Sequence, residues 1–199
     1  MPQISLTDLV EITSAAGLSK ARKVAAIKRR PSYHPAKDFY KPLREELAEL
    51  HRQGRPASEL GDFLATLNDR KKVSNYQTAV EGYMRWCGKK SIEWFEPSRG
   101  VYSRHGVDVR VNPELGVSIN GQRHLVKLYF KDEPLHRLRT DVVTVMMEAS
   151  LRETCQRGEA MALLDVRKGK LFPLQVSLAE TRAVIDAELA YVADLWRSL

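Results

Sequence analysis

The chain has 199 residues, 43% of them hydrophobic, which is enough for a substantial core and for one main domain with a smaller one appended. No run approaches the roughly 18 consecutive apolar residues of a membrane span, and the N-terminal MPQISLTDLVEITS has no basic stretch followed by an apolar one, so a cytoplasmic globular protein without a membrane partner is expected. The formal net charge of +7 sits at one end, because residues 1–90 hold 17 Lys+Arg against 10 Asp+Glu whereas residues 91–199 hold 15 of each.

Up to about Lys90 the apolar periodicity is helical. Ser5 or Thr7 can cap a first helix carrying Leu6, Leu9, Val10 and Ile12, and AAGLS (Ala15 to Ser19) supplies a Gly turn and a Ser N-cap. A second helix runs from Lys20 to about Arg30 with Ala21, Val24 and Ile27 inward, and Pro31 stops it. Six of its eleven residues, Lys20, Arg22, Lys23, Lys28, Arg29 and Arg30, are basic and none is acidic. Such a run attracts nucleic acid, DNA rather than RNA, or an acidic protein; its bland alternative is a solvated helix face. The junction AAGLSKARKV resembles the helix-turn-helix DNA-binding motif, although Thr13 stands where that motif prefers Ala and Val24 falls one residue late. Three more helices fit KPLREELAELHRQG, ASELGDFLATLND and SNYQTAVEGYMRWCGKK, so residues 1–90 read as a basic helical bundle.

From about Trp94 strands take over, with Glu96 to Gly100 as the boundary of a second region, residues 91–199. VYSRHGVDVRVNPELGVSI and RHLVKLYF are strands joined by Asn120-Gly121, a type I′ hairpin signal. TDVVTVMMEASLRETC is a buried helix, and AMALLDV and KLFPLQV form a second hairpin around Lys168-Gly169. SLAE (Ser177 to Glu180) is a capping box opening a last helix. The expected class is α+β, a helical N-terminal region followed by a ββαββα sheet with helices packed on it.

A two-residue loop at Asn120-Gly121 sets the hairpin register. Leu115 then faces Val126, Pro113 faces Leu128 and Val111 faces Phe130 on the core side, continued by Val107, Val109, Val117 and Ile119. Pro113 cannot donate to a ladder, so the strand is an edge or is bulged there. The opposite, solvent-facing side carries Glu114 against Lys127, Asn112 against Tyr129 and Arg110 against Lys131. Like charges across a sheet call for an anion, either Asp108, Asp132 or a bound phosphate. Tyr129 between two lysines offers a surface for a base or sugar, so Arg110, Tyr129 and Lys131 join the nucleic-acid-binding candidates.

NPEL…HLVK resembles the core of the PD-(D/E)XK nuclease superfamily, in which an acid after Pro on one strand faces an acid-x-Lys triplet on the next. The resemblance places Glu114 as the first acid and Lys127 as the lysine that orients the attacking water. Leu125 stands where the second acid belongs, and Asp165 in LLDVR is the one carboxylate that folding could supply instead. Catalytic candidates are therefore Glu114, Lys127 and Asp165. The resemblance implies a nuclease-like domain that is catalytically degenerate, with no cofactor; magnesium enters only if a weak metal-dependent nuclease survives. The longer run VRVNPELGVSINGQRHLVKLYFKDEPL with LLDVRKGKLF is also similar to a broad, mainly actinobacterial group of uncharacterised proteins, which implies a shared fold and no activity.

Phosphate-loop, dinucleotide-loop and H-E-x-x-H motifs are absent from the sequence. GVSIN lies inside a hairpin rather than at a strand-to-helix elbow, so Ser118 is not expected to be a nucleophile. His34, His51, His105, His124 and His136 have no metal spacing, and Cys87 and Cys155 form no cluster, so no metal site or disulfide is indicated. The expected function is nucleic-acid association, with a weak nuclease or a protein-interaction module as alternatives.

Overall fold

A computed structural model describes residues 1–31, 38–175 and 178–199. It has seven α-helices and eight strands among these residues. The chain opens with a short strand, β1 (Gln3–Ser5), and Ser5 caps α1 (Leu6–Thr13) through a reciprocal capping box with Asp8. The basic helix α2 (Gly17–Lys28) starts earlier than expected, with Ala16 rather than Ser19 at its N-cap position and no side-chain cap. Then come α3 (Lys41–Arg52), α4 (Leu60–Ala65) and α5 (Arg70–Cys87), whose start Asp69 caps. Among the described residues no helix is long and apolar enough to cross a membrane.

The C-terminal half follows as β2 (Ile92–Phe95), β3 (Gly100–Arg104), β4 (Val107–Val111), β5 (Leu115–Ile119), β6 (Gln122–Tyr129), α6 (Arg137–Leu151), β7 (Ala160–Asp165), β8 (Lys170–Pro173) and α7 (Leu178–Ser198). Ser177 of the expected capping box, like His34, lies outside the described residues. The class is α+β, as expected, but the strand order is richer than ββαββα. The stretch read as one strand from Val101 to Ile119 is three, because His105-Gly106 makes a hairpin of its own and Asn112–Glu114 carries the chain from one sheet to another. A three-stranded sheet has the order β1-β4-β3, with β1 parallel to β4. A five-stranded sheet has the order β2-β5-β6-β7-β8, antiparallel except for β6 and β7, which α6 connects. Pro113 therefore sits where no ladder continues, which meets its missing N–H.

The expected register holds over β5 and β6: Ile119 pairs with Gln122 and Leu115 with Val126. Asn120 and Gly121 both have positive φ, as the turn requires. Beyond Leu115 the expected pairing fails. Val111 pairs with Gly100, and Arg110 lies between Ser5 and Val101, so Arg110 does not face Lys131.

Both faces of the five-stranded sheet are covered. One core joins Leu115, Val117, Val126, Leu128, Phe130 and Leu164 to Leu43, Leu47, Tyr76 and Tyr83 of α3 and α5. The other joins Leu125, Met161 and Leu163 to Leu9, Ile12, Val24, Val142, Met146, Ile185 and Leu189, and also takes Val107, Val109 and Val111 from the smaller sheet. The side expected to be wet is thus a second core, and Tyr129 is half-buried against it. The helices of residues 1–90, expected to form a bundle, divide between the two faces and share both cores with residues 91–199.

Candidate nucleic-acid interface

Glu114 and Lys127 do meet. Glu114 Oε1 lies 2.5 Å from Lys127 Nζ, Glu114 Oε2 accepts the Leu128 N–H at 2.8 Å, and Lys127 Nζ also donates to the Asn112 carbonyl at 2.9 Å. Both carboxylate oxygens are engaged inside the hairpin, which leaves the pair structural as it stands. Leu125, where the resemblance would want an acid, is fully buried in the core.

Asp165 ends β7 opposite Tyr129, is 1% exposed, and accepts the Lys168 N–H at 3.1 Å in a tight turn. It is two strands across and two residues along from Glu114, a Cα separation of about 12 Å at standard sheet spacings. Among the described residues no three His, Cys, Asp or Glu side chains group so as to hold a metal ion. The three catalytic candidates therefore do not form one metal-binding set.

The basic helix is largely tied down by its own fold. Lys20 pairs with Glu188 of α7 at 2.5 Å, Lys28 donates to the Trp196 carbonyl at 2.6 Å, and Arg30 grips both oxygens of Asp8 at 2.7 and 3.3 Å. Packing of Val24 into the core turns this face toward α1 and α7. Arg22 and Arg29 point outward with no ion pair among the described residues, and Arg30 remains largely exposed despite its partner. Arg22 and Arg29, the C-cap residue of α2, lie on one stripe seven residues apart, whereas Arg30 follows the end of the helix.

A second cluster gathers candidates that lie far apart in sequence. Lys23 of α2 and Lys131, just past β6, converge on Glu11 of α1, one on each oxygen, at 2.9 and 2.5 Å. Beside them, Tyr129 accepts a hydrogen bond from Arg139 Nη1 at 3.0 Å and donates to the Glu133 carbonyl at 3.0 Å. Arg139 also contacts the Glu133 carboxylate at 2.7 Å and Ser14 Oγ at 3.3 Å. Burial alone would raise the Glu11 carboxyl, but the hydrogen bonds from Lys131 and Lys23 outweigh it and hold the group below its ordinary range. Burial raises the Tyr129 hydroxyl; Arg139 opposes the shift, while Glu133 and Glu11 add to it.

Glu11, Ser14, Glu133 and Arg139 carried no signal in the sequence. Each is an isolated polar residue beside an apolar stripe, and only packing of α1 and α6 over one end of β6 assembles them. Compared with known proteins, the chain matches no family model and no curated sequence.

Proposed function

We propose that this protein associates with nucleic acid through a cationic surface built from the outer stripe of α2 and the Lys23–Tyr129–Lys131 cluster, and that it does not cleave its ligand. The observation that carries this reading is the convergence of Lys23, Tyr129 and Lys131, from a helix and a strand over a hundred residues apart, on one end of the sheet. Cations beside a half-buried aromatic ring suit a phosphate backbone with a base or sugar packed against it. The Glu114–Lys127 pair, closed by its own hydrogen bonds, argues against hydrolysis there.

The test is fluorescence anisotropy of a labelled oligonucleotide across a salt series. With Arg22 and Arg29 as the exposed, unpaired contacts and the Lys23–Lys131 pair reaching one further phosphate, log K should fall against log[salt] with a slope of about −3 for duplex DNA. The run of six cations would instead give about −5 if every one were free. Arg22→Gln/Arg29→Gln should remove most of the binding. No binding at low salt, with capture of an acidic protein instead, would favour an interaction module. Magnesium-dependent cleavage that is lost on Glu114→Ala would overturn the non-catalytic part.

A further inference from the structure

We infer that Lys23 and Lys131 form a subsite for one backbone phosphate of the bound nucleic acid, and that the Glu11 carboxylate occupies this subsite until the ligand displaces it. The inference rests on the nucleic-acid reading above and adds to it a position and a competitor.

The geometry is that of a two-point anion clamp. Each lysine holds a separate oxygen of the same carboxylate, and the side chains are neither sealed nor free, with 38% of Lys23, 41% of Lys131 and 21% of Glu11 exposed. A pair buried this little contributes modestly to stability, so exchanging its anion costs little. The two lysines come from different elements, α2 and the end of β6, and without Glu11 they would repel one another. A phosphodiester carries the same charge and two free oxygens, and can bridge the same two ammonium groups. Release of Glu11 toward solvent needs only a rotamer change on an intermediate-exposure position of α1. Tyr129 stands next to the clamp, within electrostatic reach of Glu11, so a nucleotide whose phosphate enters has a ring beside it.

Lys20 and Arg30 offer no equivalent. The side chains of Lys20 and its partner Glu188 are each less than one-fifth exposed, and Arg30 grips an Asp8 carboxylate that also caps α1.

The experiment compares the full chain with Glu11→Gln by anisotropy of a labelled oligonucleotide. Removing the competing charge should tighten binding about tenfold at 50 mM salt, since the ligand phosphate no longer has to displace a carboxylate from the two lysines. Glu153→Gln, an exposed carboxylate without an ion pair among the described residues, changes net charge equally and should alter affinity less than about twofold. Glu11→Gln/Lys23→Gln/Lys131→Gln should lose the gain. Glu11→Asp, one methylene shorter and unable to span both lysines, should show a smaller gain and serves if the glutamine variant does not fold.

Wild-type binding that Glu11→Gln leaves unchanged would overturn this inference and leave the broader reading standing. A gain that persists without the two lysines, or that Glu153→Gln reproduces, would reduce it to net charge and overturn it as well. Absence of binding by every form at 20 mM salt would sink both readings. Inorganic phosphate competing as well as oligonucleotide, at equal phosphate concentration, would reassign the clamp to small anions and overturn the nucleic-acid assignment.

Discussion

At the scale of single residues, burial decides what each polar group can do. Leu125 shows this most directly: it shares a sheet face with Lys127, yet it lies at the centre of a core, so a carboxylate placed there would be a buried charge before it was a metal ligand. His51 is a second case. It is enclosed between α3 and α5, its Nε2 lies 2.5 Å from the Tyr83 hydroxyl, and burial lowers its pKa to about 4. An unfolded histidine titrates near about 6.5. Between those values the unfolded chain binds more protons than the folded one, so stability is complete above the unfolded value and falls as pH drops toward the folded one. The loss reaches about 3 kcal/mol at most. Thermal melts from pH 7 to pH 4 should show a steeper decline for the native chain than for His51→Gln. Equal declines would show that His51 is not the group responsible.

At the scale of elements, α5 and the turn after β7 approach each other backbone to backbone. Gly82 faces this turn, and a Cβ there would lie 2.1 Å from the Val166 carbonyl oxygen and 2.3 Å from that of Arg167. Gly169, with φ +65°, completes the turn against the same helix. A glycine inside a helix ordinarily costs stability relative to alanine, but here a side chain would collide with the backbone of the turn. Gly82→Ala should destabilise by about 3 kcal/mol, at the upper end of overpacking, because backbone atoms must move to accept the methyl group. Chemical denaturation measures it directly, and a neutral or stabilising result would mean that α5 stands further from the sheet. The same proximity lets Tyr76 and Tyr83 reach the core that holds Phe130, whose ring stacks on Tyr40 at 4.8 Å.

At the scale of the whole molecule, the N-terminal helices and C-terminal strands are parts of one packing problem. Residues 91–199 supply a sheet whose two faces are covered respectively by α1 and α2 with α6 and α7, and by α3 to α5. Without residues 1–90, Leu115, Val117, Val126, Leu128 and Phe130 would lose the helices that cover them. A fragment of 91–199 should therefore fail to give a cooperative, monomeric fold, as read from its thermal transition and the dispersion of its amide resonances. A well-dispersed monomeric spectrum would show that the strands fold without their N-terminal cover. The charge asymmetry changes meaning at this scale too, because Lys20, Lys23 and Arg30 of the basic run are each paired with a carboxylate of α1 or α7.

Local chemistry made several features legible in the sequence. Asn120-Gly121 defines the β5–β6 hairpin because both positions need positive φ, and strand alternation then dictates that Glu114 meets Lys127. Ser5, one of the two caps the sequence offered, opens α1 by the same kind of short-range reasoning, and Asp8 completes its capping box in the fold. Local signals did not reveal the break at Asn112–Glu114, since a strand that changes sheets keeps its alternation; nor did they reveal that His105 adopts positive φ in a second hairpin. The second core was hidden for a related reason. Leu125, Tyr129 and Met161 are buried by helices arriving from elsewhere in the chain, and alternation on one strand cannot tell a wet face from a covered one. The basic run of α2 was plain in the sequence, whereas the partners of its charges were not. Side chains 12, 120 and 168 residues apart come into ion-pair distance only when α1, α2, α7 and the end of β6 close on one another, so the cations left for a ligand were decided by the tertiary structure.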